Sequence, residues 1–301
     1  RQRQMCIRDR GCMISIILIL LFVFSVLSVP VCHGVISGLY LYGMKIFPGL
    51  FISFILTNIL VRILQQKNIN NPWILVITGL MTGFPNGAYI CSWYNKNNPE
   101  NRLGDMLAGI INIPSPAFLI SYVYINILEK CISLPMFLAL TYTPVILCSY
   151  MVILLFRDKD NKKDNAPHIK TGKKLIFHFF EEAVDSSINT ALKLGAYVII
   201  FSVIVNIIMH FSQSNTVGLL ISYLFEISNG LAIIKNAGIP MNITVLLTVL
   251  LDAFGGVCII MQTKSICSSY ISIKKYIYQK LVLCIVTLAT TYLLIYVLNI
   301  L

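Results

Sequence analysis

The chain has 301 residues, of which 57% are apolar and only 12% are charged, and its mean hydropathy is +0.81. Soluble domains carry about 25% charged residues, so this composition excludes a soluble enzyme, a disordered chain and a disulfide-stapled secreted module, and it indicates a protein of the bilayer. The formal charge of +11 does not indicate a nucleic-acid partner, because the basic residues are spread between apolar runs, where they set membrane orientation.

The first residues of the chain differ from the rest. The letters RQRQMCIRDR resemble a translated sequencing adapter, so we predict that residues 1–12 are a non-native leader and that the native chain starts at Met13. Residues 13–33 form an apolar run, and we predict an N-terminal transmembrane helix there. A signal peptide is the alternative, but the stretch SVLSVPVC lacks an A-x-A cleavage pattern.

We predict a first group of membrane segments in residues 34–156. In chain order they are an amphipathic piece, a helix, a hairpin, a broken helix and a closing span: Val35–Lys45, Pro48–Val61, Trp73–Trp93, Leu103–Leu128 and Ile132–Phe156. The hairpin is indicated by the letters TGFPNGAY, and the broken helix by Pro114-Ser115-Pro116. Irregular backbone at membrane depth occurs only where it is buried in protein or lines a cavity, so these interruptions point to a binding site.

A polar and basic segment, residues 157–174, separates this group from a second one. We predict that it is a solvated cytoplasmic loop that orients the chain and lies near anionic lipid head groups. The second group, in residues 175–301, comprises an interfacial helix, a span, a hairpin, a broken helix and a closing span: Lys173–Asn189, Leu194–Phe211, Ser222–Ala237, Ile243–Ile266 and Leu281–Leu301. Gly255-Gly256 interrupts the second broken helix.

The two groups carry the same features in the same order. Aligning residues 45–59 with residues 193–207 also pairs Asn58 with Asn206. The order of features therefore predicts an internal repeat.

Positive charge indicates how the two copies are oriented. With residues 157–174 in the cytoplasm, Lys193 falls near the inner face, and eight further basic residues fall on the inner side: Arg62, Lys67, Lys96, Arg102, Lys264, Lys274, Lys275 and Lys280. The basic residues left outside are Lys45, Lys130 and Lys235. If each hairpin is re-entrant, each half crosses the membrane three times, through its helix, its broken helix and its closing span. Three is an odd number, so we predict that the second half runs the opposite way through the membrane, with the N-terminus inside and the C-terminus outside.

The expected fold is an all-α polytopic membrane protein, an inverted repeat of spanning helices, re-entrant helical hairpins and broken helices. The motifs TGFPNGAYICSWYNKN, INIPSPAFLISYVYINI and DAFGGVCIIMQTKSI resemble the YlbJ-like sporulation integral membrane proteins of endospore-forming bacteria, over roughly Gly38 to Lys280. The resemblance implies a nucleoside recognition or Gate-type core, similar to that of concentrative nucleoside transporters, and a plasma-membrane or forespore-membrane location. One departure is Ala88-Tyr89, because the family pattern usually has a basic residue after its Gly-Ala.

Two acidic residues lie inside apolar stretches of the second half, Glu226 and Asp252. A carboxylate near the bilayer centre costs about 2.5–3.5 kcal/mol, so it usually faces a cavity or a partner. We expect the pair to bind a coupling H+ or Na+, or a polar solute. The structural alternatives are that Glu226 lies at the mouth of the hairpin, that Asp252 caps the half-helix after the break, or that Lys235 pairs with one of them.

The remaining candidate residues lie at the hairpin tips and the helix breaks. We expect them to bind solute or ion: Asn86, Gly87, Asn229, Gly230, Asn112, Ser115, Gly255, Gly256 and Gln262. The alternative for each Asn-Gly pair is an ordinary turn. Asn58 and Asn206, in plain spans, are expected to join helices.

We expect no enzyme activity, no metal site and no cofactor, because the histidines are scattered and no hydrolase or nucleotide-binding motif occurs. The first functional hypothesis is a permease-like carrier of a small polar solute, nucleoside-like or another metabolite, that works by alternating access at the paired hairpins. The second is a non-transporting scaffold for sporulation proteins that keeps the same fold. The expected partners are the bilayer, the solute, and either a second copy of the chain or a sporulation membrane protein, with no nucleic acid.

Overall fold

The structure, a computed structural model, describes residues 13–23, 28–67, 71–98, 102–156, 173–211, 221, 223–267 and 270–297. Within these ranges the chain is almost entirely helical and contains no strand. Five helical segments in them are long and apolar enough to cross a membrane: Leu103–Ile127, Leu134–Phe156, Phe180–Phe211, Met241–Cys267 and Ile273–Ile295. The predicted leader (1–12) and nearly all of the predicted basic loop (157–172) lie outside the described residues.

The described helices have the following bounds. They are α1 (Met13–Val23), α2 (Ser28–Tyr40), α3 (Phe47–Lys67), α4 (Pro72–Thr82), α5 (Asn86–Asn97), α6 (Leu103–Ile111), α7 (Pro116–Phe118), α8 (Leu134–Phe156), α9 (Lys173–Phe211), α10 (Ile227–Asn236), α11 (Met241–Phe254), α12 (Gly256–Cys267) and α13 (Ile273–Val297). The π-helical segments Leu41–Ile46 and Leu119–Ile127 continue α2 and α7.

Helices α2 and α3 pack against α9. The predicted span over residues 13–33 falls on α1 and the start of α2, with residues 24–27 outside the described ranges. Gly34 and Gly38 let α2 approach α9 closely, since a Cβ at Gly34 would lie 2.5 Å from the Cα of Val203. Small residues four apart are a common way for membrane helices to pack.

Helix α9 joins two segments that the sequence predicted separately, the interfacial helix and the following span. With 39 residues, it is about 58 Å long at 1.5 Å per residue, whereas the hydrocarbon core is about 30 Å thick.

The predicted roles of the lone asparagines are confirmed: Asn58 on α3 donates to the Ser187 hydroxyl at 3.0 Å, and Asn206 donates to the Ser37 hydroxyl at 3.3 Å.

The predicted interruptions are present in the described part of the chain. For the second hairpin this part is residue 221, residues 223–225, the interruption at Glu226, and α10. The first hairpin is α4, a turn at Gly83–Pro85, and α5. Asn71 caps α4 by accepting from the Trp73 N–H at 3.0 Å, and Pro72 occupies the first helical turn, where its missing N–H has no cost. The first broken helix stops at Ile111 and resumes at Pro116, and the second stops at Phe254 and resumes at Gly256.

Polar contacts fix the opposite ends of the Leu103–Ile127 span. At its start, Asp105 accepts from the Ser272 N–H and pairs with Lys275, both at 2.7 Å. Beyond its end, Lys235 of α10 pairs with Glu129 at 2.6 Å. The two contacts bring the turn before α13 to one end of this span and the C-terminal part of α10 to the other.

The ion pair at the far end corrects one expectation. Lys235 pairs with Glu129 and with neither Glu226 nor Asp252, so the structural alternative that paired it with one of them is wrong. The Lys235 ammonium lowers the pKa of the Glu129 carboxyl below its usual value. Both side chains are exposed, so the pair contributes little stability.

Candidate functional site: the junction of two broken helices

The first helix break, residues 112–115, is a consequence of its prolines. Pro114 and Pro116 have no N–H to donate, so α6 cannot continue through this stretch. Ser115 begins the next helix by accepting from the Phe118 N–H at 3.3 Å. The predicted site residue Ser115 is thus a buried helix cap.

The second break depends on consecutive glycines. Gly255 has φ +81° and Gly256 has φ +84°, in the left-handed region that residues with a Cβ avoid. Gly255 ends α11 in the usual way of a glycine cap, because its N–H donates to the Leu251 carbonyl at 2.7 Å. The carbonyls after Leu251 are left without partners inside the helix.

Each hairpin tip packs against the helix break of its own half. In the first half, a Cβ at Gly83 would overlap the backbone of Ser115, and the Phe84 N–H donates to the Ile113 carbonyl at 2.9 Å. In the second half, a Cβ at Gly256 would lie 3.2 Å from the carbonyl oxygen of Phe225. We call each of these two contacts between a hairpin tip and a helix break, Gly83 with Ser115 and Phe225 with Gly256, a clasp.

The tip asparagines bond to neighbouring helices and not to a shared cavity. The Asn86 amide donates to the Thr57 hydroxyl of α3 at 3.4 Å, and the Asn229 amide donates to the Ser202 hydroxyl of α9 at 3.1 Å. Gly87 permits a close approach, since a Cβ there would lie 2.9 Å from the Ile111 carbonyl oxygen. Gly230 has the same role, with a Cβ position 2.8 Å from the Leu251 side chain.

Glu226 is buried, and its carboxylate caps α10. One carboxylate oxygen accepts from the Asn229 N–H at 2.7 Å, a charge-assisted bond at the positive end of the helix. The structure therefore gives Glu226 a local structural partner.

Asp252 differs from Glu226, because it is fully buried in the last turn of α11 and does not cap the following half-helix. Neither of its carboxylate oxygens has a hydrogen-bond partner among the described residues. Tyr142 of α8 and Tyr223 lie close enough to interact with it electrostatically. The Tyr142 hydroxyl is itself buried without a described hydrogen-bond partner. Buried polar groups normally have partners. Among the described residues of α8 and α11, Asp252 and Tyr142 share their free bonding capacity with the buried hydroxyls of Thr248 and Ser149.

Asn112, at the first break, joins the two halves of the protein. Its amide nitrogen donates to the Tyr276 hydroxyl at 2.8 Å and to the Thr263 hydroxyl at 3.2 Å, and its amide oxygen accepts from the Ala88 N–H at 3.3 Å. Asn112 is fully buried and its side-chain polar atoms are all engaged. It therefore holds the first break against the first hairpin, α12 and α13.

Gln262 lies away from this network. Its amide nitrogen donates to the Cys258 sulfur at 3.2 Å, whereas its amide oxygen has no described partner. It lines a narrow cleft together with Pro85 of the first hairpin and Lys193 of α9. The structure thus places Gln262 beside the first tip and not beside the second break.

Lys280 was not a predicted site residue and was expected only as one of the basic residues of the inner side, but the structure buries it. It is fully buried in α13, where its ammonium donates to the Asn112 carbonyl at 2.5 Å and to the Ala253 carbonyl at 2.9 Å. The two acceptors belong to the two helix breaks. The spacing of Tyr276, Lys280, Leu283 and Thr287 on one buried face of α13 is the sequence pattern that could have indicated it.

A row of aromatic side chains connects the two tips. Phe84 of the first tip packs on Phe118 with ring centroids 6.3 Å apart, and Phe118 packs on Tyr122 at 5.2 Å. The Tyr122 hydroxyl then donates to the Ser228 carbonyl of α10 at 3.2 Å. The tips are therefore linked through α7 and the π-helical segment that follows it.

An open groove lies beside the second hairpin. It has a volume of about 610 Å3 and is lined by Asn206, Asn229, Asn236 and apolar side chains of α9 and α10. Among the described residues, no group of three or more His, Cys, Asp or Glu side chains could hold a metal ion.

The fold and the junction define a class of protein, a multi-pass helical membrane protein with discontinuous helices. Comparison of the chain with protein-family models, with curated proteins and with solved structures found no match in any of the three.

Proposed function

We propose that the chain is a Gate-type carrier for a small polar solute, nucleoside-like or another metabolite, and that it works by alternating access at its paired hairpins with H+ or Na+ as the coupling ion. The observation that carries the proposal is Asp252, a fully buried acid next to a helix break whose oxygens have no described partner. A buried carboxyl of this kind is costly to keep unless it binds something during function.

The contacts between helices support an inverted repeat. They recur in corresponding pairs: α5 packs on α6 as α10 packs on α11, and α6 packs on α13 as α11 packs on α8. Each tip asparagine donates to a hydroxyl on the helix that precedes its hairpin, Thr57 in the first half and Ser202 in the second. Paired discontinuous helices in two halves are typical of the binding sites of secondary transporters.

The ends of the hairpins support opposite orientations of the two halves. Asn95 near the end of α5 donates to the Tyr270 carbonyl at 3.0 Å, in the turn whose neighbour Ser272 bonds to Asp105. Lys235 near the end of α10 bonds at the other end of the same span, to Glu129. The two hairpins would then open to opposite sides of the membrane. The association with sporulation, with YlbJ-like proteins and with the plasma or forespore membrane rests on the motif resemblance alone.

A non-transporting scaffold is the second candidate, and a specific observation favours it. Most of the predicted ligands are engaged in internal bonds, including Asn112, Ser115 and Glu226. A junction closed in this way would suit a protein that keeps the fold and organises other membrane proteins. The protein would then hold a stoichiometric partner when purified from its native membrane.

Solute flux in proteoliposomes tests the carrier function. We expect uptake of at least one member of a panel of nucleosides and small polar metabolites, and we expect Asp252→Asn to lower that uptake by a factor of about 100, the usual effect of removing a proton-transfer group. Asp185→Asn, on the exposed surface of α9, is the matched control and should leave uptake unchanged.

Two outcomes would count against the carrier. Uptake by Asp252→Asn at the wild-type rate would show that Asp252 is not part of the transport site. No uptake of any solute by folded protein, together with a stoichiometric partner, would favour the scaffold.

A further inference from the structure

Lys280 occupies an unusual position for a lysine of a membrane protein. It is fully buried in α13, and its ammonium donates to one carbonyl at each of the two helix breaks. A lysine in the middle of a spanning region is costly, so it normally faces a partner. Lys275, five residues earlier on the same helix, shows the ordinary arrangement, since it is half exposed and pairs with the Asp105 carboxylate.

The partners of Lys280 are backbone carbonyls at helix ends. The Asn112 carbonyl closes α6, which has nine residues, and the Ala253 carbonyl lies in the last turn of α11, which has 14. The last carbonyls of a helix have no N–H partner inside that helix. Each helix C-terminus also carries about −0.5 of an elementary charge, so the two ends together present about −1. One ammonium balances this charge.

The surroundings complete a cation site. The ring of Tyr276 lies 5.8 Å from the Lys280 ammonium, within the range of a cation–π contact. The Tyr276 hydroxyl accepts from Asn112, so the ring is held in place by the first break. Asp252 precedes Ala253 directly, and the thiol of Cys284 lies one turn further along α13.

We propose that Lys280 is a tethered cation that fills a cation site formed by the C-terminal ends of the two broken helices. Discontinuous transporter helices use such ends and unwound carbonyls to bind a free Na+. Here the chain supplies the positive charge itself, so no monovalent metal ion binds at the junction. In a carrier, Na+ would therefore not couple at this point, and Lys280 would hold the helix ends together in a carrier and in a scaffold alike.

Thermal unfolding of the purified full-length chain in detergent tests the proposal without any transport measurement. We expect wild type to melt at the same temperature in NaCl, KCl and choline chloride. Lys280→Met removes the charge and keeps the length, so its melting temperature in choline chloride should fall by on the order of 10 °C. Lys280→Ala leaves room for a free cation, so Na+ or methylammonium at about 100 times its dissociation constant should restore several degrees.

The matched control is Lys274→Ala, an exposed lysine near the start of α13, which should behave as wild type in every salt. If Lys280→Ala does not fold, comparison of Lys280→Arg with Lys280→Met decides, because only arginine retains the charge and should melt higher. Two results would overturn the proposal: stabilisation of wild type by Na+ but not by choline, or a Lys280→Met variant as stable as both wild type and Lys280→Arg.

Discussion

At the scale of single residues, the acidic side chains of the core have different roles. Glu226 caps α10, Asp105 binds the turn before α13, and Asp252 has no described partner. The sequence identified Glu226 and Asp252 as unusual because each interrupts an apolar stretch. It could not separate their roles, since a cap depends on local geometry, whereas the isolation of Asp252 depends on how α8 and α11 pack.

Two isosteric substitutions should distinguish an acidic side chain that stabilises the fold from one that is free to bind a ligand. Asp105→Asn weakens a charged hydrogen bond and an ion pair at 2.7 Å, so it should lower the free energy of unfolding by about 1.5–3 kcal/mol. Asp252→Asn breaks no described hydrogen bond and should leave stability unchanged or slightly higher. The measurement is the melting temperature in detergent, and a larger loss for Asp252→Asn than for Asp105→Asn would show that Asp252 has a structural partner.

At the scale of helices, the clasp between each hairpin tip and its break is the main feature of the fold. Pro114, Pro116, Gly255 and Gly256 were sufficient to predict where the helices stop, because proline has no N–H and glycine alone adopts a positive φ freely. The partner of each break was not predictable, because the contact of Gly83 with Ser115 joins segments on either side of α5 and α6. The same limit applies to α9, where nothing in the sequence marked the join between its two parts.

Alanine at Gly83 tests the clasp. Gly83 has φ +70° and ψ −175°, a combination essentially restricted to glycine, and its Cβ would overlap the Ser115 backbone, so Gly83→Ala should cost about 1–3 kcal/mol for the backbone and about 1–3 kcal/mol more for the overlap. Gly238→Ala is the matched control, because Gly238 has φ +63° with nothing within 4 Å of its Cβ position. The melting temperatures of the two variants give the difference in lost stability. Equal losses would mean that the tip at Gly83 does not contact the break at Ser115 closely.

At the scale of the whole molecule, the proposed carrier requires two halves that cross the membrane in opposite directions and meet at Lys280. The order of spans, hairpins and broken helices followed from apolar runs and from glycine and proline. The position of Lys280 did not, because a charge near a predicted helix end is usually at the surface. Only the packing of α13 on α6 and α11 shows that its face is buried.

Single cysteines at the open ends of the two hairpins test this claim most directly. The nine cysteines of the chain are replaced first, and Lys96→Cys on α5 or Asn236→Cys on α10 is then introduced, both at exposed positions. We predict that a membrane-impermeant thiol reagent labels Asn236→Cys in intact cells and labels Lys96→Cys only after the membrane is permeabilised. Labelling of both positions from the same side of the membrane would contradict the inverted arrangement of the two halves.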